Sequence, residues 1–382
     1  MSWRPAHATA RRVLGLAAVG LLTWLLGACS STPETLKPAE LGPNPALIGV
    51  RLAWVAQTGP IEFPLDMRAA EDQVVVGDSK GRVTAFDAGR GERRWQAELG
   101  QGIGAGMGGD ARWTVALTRG NELVALEAGQ QRWRQPVGAS GSTPPLIAGG
   151  RVFLMTADRT VSAWDMATGR RLWSQSRQGE PLVLRQAGLL MAVRDTLVVG
   201  LGGRLTGLNP GNGTIRWEVA LASPRGSNDV ERLVDILAGV ARQGDTVCVR
   251  AFQSAVGCVD AVRGELIWSR SASGTVGLHG NEQIVVGSEG DGRLVAWRRT
   301  DGVPLWSSDR LRQRGLTAPL VVGRSIAVGD RFGYVHWLSR EDGSLLARMA
   351  TDGSPVVGPP VRVGDTLVVA TRKGGLFGFR PD

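Results

Sequence analysis

Tryptophan recurs along this chain at Trp95, Trp133, Trp173, Trp217, Trp268 and Trp306, at intervals of 38, 40, 44, 51 and 38 residues, and a whole phrase of sequence recurs with it. Residues 74–99 read VVVGDSKGRVTAFDAGRGERRWQAEL and residues 152–175 read VFLMTADRTVSAWDMATGRRLWSQ, so the two copies align turn for turn. Each copy holds two runs rich in Val, Leu, Ile and Thr joined by a Gly, Asn or Asp turn, then a third apolar stretch that carries the Trp. Shorter runs at 143–148, 233–238 and 316–322 precede their copies and are expected to supply a fourth, inner strand. A period near forty residues with four strands per unit is that of a propeller blade, not of a helical repeat.

Counting the copies predicts how the ring closes. Seven run from residue 74 to residue 350, the seventh having Leu346 where the others have Trp, and an eighth begins at Leu367 and ends without its Trp strand. The missing strand is found at the other end, in LAWVAQT around Trp54. Pairing it with the last copy hides both edges, which an open sheet would leave available for aggregation. The expected fold is therefore all-β, an eight-bladed β-propeller of four-stranded antiparallel blades over residues 49–382, its last blade closed by the N-terminal strand. The 54 Gly and 43% hydrophobic residues suit such a body, and nothing indicates a second domain.

The N-terminus carries an address. Arg4, Arg11 and Arg12 precede an apolar run over 13–26, too short to span a bilayer comfortably and ordered like a secretory signal. The run ends Leu26-Gly27-Ala28-Cys29, which resembles a bacterial lipobox and implies a signal peptide at 1–28 and acylation of Cys29. Ser30 rather than Asp follows, which among Gram-negative lipoproteins implies export to the outer membrane, on its periplasmic face. Residues 30–48 contain Pro33, Pro38, Pro43 and Pro45 without apolar periodicity and are expected to form, with Cys29, a flexible tether at 29–48. More than one acyl chain then holds the protein to the membrane without a spanning helix.

Removing 1–28, with three arginines and no acid, takes the net charge from +9 to +6. Export argues against a nucleic-acid partner and leaves a solvated basic face able to meet acidic ones. The two other cysteines, Cys248 and Cys258, fall on the two strands of one expected hairpin in the fifth blade. An oxidising compartment favours a structural disulfide between them, whereas a one-residue slip of register would leave two free thiols on opposite faces.

Enzyme chemistry has no clear foothold. Only His279 and His336 follow the signal, too far apart in the repeat for a metal cluster, and no nucleophile elbow or phosphate loop is present. Asp78, Asp158 and Asp330 recur just before the first turn of different blades and are expected to cap those turns. No catalytic residue, metal site or cofactor is predicted. The pattern Ala-x-Asp-x-x-x-Gly-x-x-x-Trp, as in Ala163 to Trp173, does resemble the repeat of quinoprotein dehydrogenases, which implies a quinone-dependent enzyme as one rival reading. Those enzymes also carry a vicinal cysteine pair and clustered acidic metal ligands, neither of which can be identified here.

A lipobox, a Pro-rich tether and eight such blades closed by an N-terminal strand together resemble the BamB family, propeller lipoproteins of the β-barrel assembly (BAM) machinery, over the whole chain. Leu182-Val183-Leu184-Arg185 resembles the Leu-x-Leu-Arg segment by which that family contacts BamA, and residues 226–235 resemble its second contact loop. That loop commonly ends Asp-x-Asp; here only Asp235 is present, followed by Ile236 and Leu237. The resemblance implies a non-enzymatic scaffold binding the periplasmic (POTRA) domains of BamA, in company with other BAM subunits and unfolded outer membrane proteins. Leu182 and Leu184 would supply apolar area and Arg185 a charge-assisted contact, unless the leucines are core residues and Asp235 pairs with Arg185 internally. In up-and-down blades both segments enter on one face, so a single patch on adjacent blades is expected. A propeller module binding another envelope component is the third reading.

Overall fold

The computed structural model describes residues 1, 36–63, 67–177, 184, 187–223 and 233–382, and all that follows concerns the body from Pro38 to Asp382. Its described secondary structure is wholly strand, arranged in eight four-stranded antiparallel sheets. Seven blades are sequential, at 68–98, 103–136, 146–176, 190–220, 241–271, 278–308 and 320–350. The eighth takes three strands from 356–381 and its outer strand from Val50–Gln57. That strand pairs from Val50 opposite Pro381 to Gln57 opposite Gly375, the closure expected from the unmatched Trp54.

The repeated phrase is a docking grammar. The two middle strands of each blade are nearly continuous runs of buried Val, Leu, Ile and Ala, because both of their faces meet a neighbouring blade. The outer strand alternates, and its inward position carries the Trp. Opposite that Trp stands a small residue, such as Ala85 for Trp95, Ala163 for Trp173 or Gly207 for Trp217. The register shifts at the next position, a bulge that adds twist to the outer strand.

Each Trp then lies over a glycine in the last turn of the following blade. The pairs are Trp54 with Gly91, Trp95 with Gly129, Trp133 with Gly169, Trp173 with Gly213, Trp217 with Gly264, Trp268 with Gly302 and Trp306 with Gly343. All seven glycines have φ between 70° and 82°, and a Cβ on any of them would collide with the indole. Glycine is therefore required twice over, for backbone conformation and for close approach. Five of the indoles also donate Nε1 to a carbonyl of the next blade, for example Trp133 to Met166 O at 2.7 Å and Trp268 to Arg299 O at 2.7 Å. The conserved spacing of Asp and Gly in the phrase follows from the same turn: Asp87 Oδ1 accepts from Gly89 N and Arg90 N, holding the loop that presents Gly91.

Blade seven breaks this pattern for a reason set by topology, and the residue at the Trp position is Ala347, not the Leu346 expected from sequence: Ala347 stands opposite Trp337, just before the register shift, where other blades set a Trp opposite a small residue. Blade eight has no chain turn between its last two strands, because its outer strand arrives from the other terminus, so blade seven has no glycine turn to dock on. The neighbouring Leu346 packs in the same cluster as Ile48 and Val50, and its carbonyl accepts from Leu47 N at 2.7 Å.

Two expectations need correction. Residues 233–238 are not the inner strand of blade five; that strand is Ala241–Gln243, and 236–237 form isolated bridges to Ala251 and Gly188. Residues 38–48, expected within the flexible tether at 29–48, lie hydrogen-bonded along blade seven. Cys29 and residues 2–28 of the expected signal lie outside the described residues.

Candidate partner-binding site

In every blade the turn between the second and third strands and the crossing to the next blade lie on one face, here the connection face. On it, the crossing into blade four and the crossing into blade five meet. Leu184 N donates to Asp235 Oδ2 at 3.0 Å, fifty-one residues away in sequence. Behind this contact the two segments run side by side: Ala238 N donates to Ala187 O at 2.8 Å and Gly188 pairs with Leu237.

Asp235 is the organising residue. Its backbone carbonyl accepts from Phe252 N at 2.9 Å in the hairpin turn of blade five, while its carboxylate faces blade three, with Oδ1 3.9 Å from Arg159 Nη2. Its side chain is 14% exposed and that of Arg159 is 8% exposed, so the pair is screened from water on most sides. The flanking residues fix it in place: Val234, Ile236 and Leu237 are buried, Ile236 N donates to Gly202 O at 3.2 Å, and Leu237 N donates to Arg250 O at 3.0 Å. Gly200 leaves the space that Ile236 fills, since a Cβ there would strike the Ile236 Cβ. One residue, through its carboxylate and its main-chain carbonyl, thereby ties blades three, four and five together on the connection face.

Of the residues singled out from sequence, Leu184 and Asp235 are thus brought into contact, whereas Leu182 and Arg185 lie outside the described residues. Leu184 is half-buried and, with Ala187, lines a 1210 Å³ depression over the ring axis that also receives Ile61, Arg119 and Arg372. Cys248 and Cys258 stand away from this patch. They lie directly opposite each other on the middle strands of blade five, with Cα atoms 3.9 Å apart, Sγ atoms at bonding distance and both side chains fully buried. Arg299 Nη1 is 3.4 Å from Cys248 Sγ.

Arg159 is not among the residues that the resemblance singles out, although the repeat contains the signal for it. It occupies the left-handed turn position, φ 61°, where other blades have Gly81, Gly292, Gly333 and Gly374. A bulky side chain in that conformation is strained by about 1 kcal/mol or more, and such strain gathers at functional positions. The turn aspartates behave as caps: Asp78 Oδ1 accepts from Lys80 N and Arg82 N, and Asp330 Oδ1 from Phe332 N and Tyr334 N.

Next to the site, the connection face buries two further charge clusters. Arg250, fully buried, donates to Glu289 at 2.9 Å across the junction of blades five and six, and burial pushes its guanidinium below the usual arginine range. Arg314 and His336 both meet Asp330, at 2.7 and 3.0 Å, in blade seven. Such pairs cost desolvation, and removing one partner is strongly destabilising because it strands the other charge.

The axial region is polar at one end and apolar along its length. Its upper depression presents Glu62, Arg119 and Arg372, and the adjoining 690 Å³ channel is walled mainly by apolar residues such as Met67, Met107, Met191 and Leu316. Among the described residues no three acidic, His or Cys side chains are placed to hold a metal ion, and the cysteine pair is sealed inside a blade.

Comparison with known proteins gives a consistent picture. Residues 79–308 match the family model described as outer membrane protein assembly factor BamB. The chain is 34% identical to the outer membrane protein assembly factor BamB of Burkholderia pseudomallei, over 94% of this chain and 95% of that protein. It is 32% identical to that of Bordetella pertussis, over 92% of each. Among solved structures, BamB from Moraxella catarrhalis superposes with a TM-score of 0.79 at 25% identity, covering 87% of this chain and 99% of that one. A quinohemoprotein alcohol dehydrogenase from Comamonas testosteroni superposes with a TM-score of 0.68 at 14% identity, covering 88% of this chain and 77% of that one, a likeness of fold alone.

Proposed function

Because this chain belongs to the BamB family of outer membrane protein assembly factors, we propose that it is a non-enzymatic scaffold of the β-barrel assembly complex, binding the periplasmic domains of BamA through the connection face of blades three to five. The observation that carries the reading is the Leu184–Asp235 contact, by which two interruptions of the repeat form one surface. Blades supply rigidity, and crossings that interrupt a regular ring are where binding is most readily grafted.

In this reading Asp235 is a positioning residue. It accepts the Leu184 N–H and so fixes the chain just before Arg185, whose guanidinium then forms a bidentate contact with a carboxylate of the partner, while Leu182 and Leu184 contribute apolar area. A rigid site pays less to order itself on binding, which favours a slow off-rate. Processing at Cys29 anchors the molecule by acyl chains to the periplasmic face of the outer membrane, where the oxidising environment keeps Cys248 and Cys258 joined. Other subunits of the complex and unfolded outer membrane proteins are its further partners, the latter reaching exposed blade edges by strand addition.

The test uses acyl-free protein and the isolated periplasmic domains of BamA. The Arg185→Glu variant is expected to lose retention on those domains by tenfold or more, roughly the cost of breaking an interfacial charge pair. Undiminished retention removes Arg185 from the interface.

A further inference from the structure

The chain ahead of the closing strand forms a strap down the outer edge of blade seven. Ala39 N donates to Arg312 O at 2.9 Å and Ala39 O accepts from Arg314 Nη1 at 3.1 Å. Leu41 packs against the cluster containing Leu311 and Leu316. The Asn44 side-chain amide then pairs with the main chain of Arg348 in both directions, Nδ2 donating to Arg348 O at 3.0 Å and Oδ1 accepting from Arg348 N at 2.9 Å. This is the pattern a neighbouring peptide group would make, so the open edge of strand Leu345–Ala350 is capped by a side chain.

The strap shortens the leash. If all residues up to Val50 were free, the chain from Cys29 could extend roughly 70 Å; with the strap docked from Pro38, nine residue steps remain, or at most about 30 Å. The docked end lies on the connection face, beside the 309–314 crossing and the 330–333 turn of blade seven. That rim carries exposed Arg310, Arg312 and Arg331 around Phe332. Phe332 is 36% exposed and the only aromatic among the exposed large hydrophobic side chains of the described residues. The guanidinium groups of Arg314 and Arg331 lie over its ring at 4.6 and 5.0 Å. Of the acids nearby, Asp291 is paired with Arg293 and Arg312, and Asp330 is buried with Arg314 and His336, which leaves Asp309 and Asp352 as the exposed ones, the latter accepting from Ser354 and Thr371.

We propose that this rim, formed by Arg310, Arg312, Arg331 and Phe332, is a membrane-facing surface that engages anionic lipid headgroups at the anchored bilayer. The occupant follows from two features together: a leash that ends at the rim and keeps it near the membrane, and a cluster of arginines around an exposed aromatic, the chemistry of an interfacial anchor. The first feature rests on the reading of Cys29 as lipidated; the second does not. Partner domains then dock on blades three to five, across the ring axis from the lipid.

The experiment uses acyl-free protein, so that binding cannot come from the anchor, and flotation with phosphatidylcholine vesicles with or without phosphatidylglycerol. Wild-type protein is expected to float with the phosphatidylglycerol vesicles only, and to release as salt is raised. The triple variant Arg310→Ala, Arg312→Ala, Arg331→Ala is expected to bind roughly tenfold more weakly or worse. A control triple variant on the opposite face, Arg90→Ala, Arg170→Ala, Arg263→Ala, is expected to bind as wild type. Equal binding to both vesicle types, or equal loss in the two triple variants, overturns the proposal. Retention on BamA's periplasmic domains, measured on the same samples, separates the two readings: its absence counts against the scaffold alone.

Discussion

Trp54 lies over Gly91 and donates its indole N–H to Ala88 O at 3.0 Å, so the first strand of the fold completes the eighth blade and docks it on the first in a single contact. Arg380 Nη2 adds a second link across the same seam, to Gly89 O at 2.9 Å. Trp54→Ala removes a buried indole from the strand that closes the ring, which pairs with the C-terminal strand without a chain turn between them. It should cost about 3–5 kcal/mol, as large-to-small core substitutions do. Equilibrium denaturation measures this, and a loss below 1 kcal/mol would mean that closure does not depend on the indole.

Ala347 stands opposite Trp337 at the one outer-strand position of the ring where the repeat's Trp is replaced. Restoring the repeat's own residue, Ala347→Trp, is expected to destabilise, because blade eight offers no glycine turn and the buried position faces Trp337, where other blades have a small residue. Overpacking of this kind costs about 1–3 kcal/mol. A higher melting temperature in the variant would show that blade seven lacks only its Trp.

Cys248 and Cys258 close a short loop, with ten residues of sequence separation. Removing the link in the double variant Cys248→Ala, Cys258→Ala should cost about 2–3 kcal/mol by the loop-entropy argument. Thiol titration in denaturant should find neither of the two cysteines free in protein purified from the periplasm, and both free after cytoplasmic expression. Two reactive thiols in the periplasmic sample would exclude the bond.

Acid sensitivity should come from two histidines. Burial pushes His336 below its usual 6.5, offset in part by Asp330, and burial together with Arg299 does the same to His279. Both are held neutral by the fold, so below pH about 6.5 the unfolded chain takes up protons that the folded one refuses. Their contribution is therefore intact above that pH and declines as pH falls towards the depressed folded values, by up to about 1.4 kcal/mol per unit for each histidine. His336→Gln keeps a donor for Asp330 and should flatten the stability profile between pH 7 and 5. An unchanged slope would assign the acid sensitivity elsewhere.

What could be read in the chain was what repeats. The blade grammar is local: two apolar runs, a capped turn and a Trp recur because each blade solves the same packing problem, and even the closure at Trp54 is visible as an unmatched copy. The crossings obey no period, and their hydrogen bonds go to remote segments. Residues 233–238 are apolar enough to read as a strand, yet Ile236 and Leu237 bond to Gly202 and Arg250 and leave the inner strand to Ala241–Gln243. The strap was hidden for a similar reason: four prolines and no apolar stripe read as a tether, because the bonds that order it, at Asn44 and Ala39, are made with residues some three hundred positions away. At the candidate site the leucine and aspartate could be found by resemblance, but Arg159 could be found only by noticing an arginine where sister turns have glycine.

The central claim, that the connection face of blades three to five receives BamA's periplasmic domains, is tested most directly by hydrogen exchange on the acyl-free protein with and without those domains. Slowed exchange is expected for the amides of Leu184, Ala187, Gly188 and Phe252, with none for the opposite-face turns near Gly169 and Gly264. Protection confined to the opposite face, or spread evenly round the ring, would contradict it.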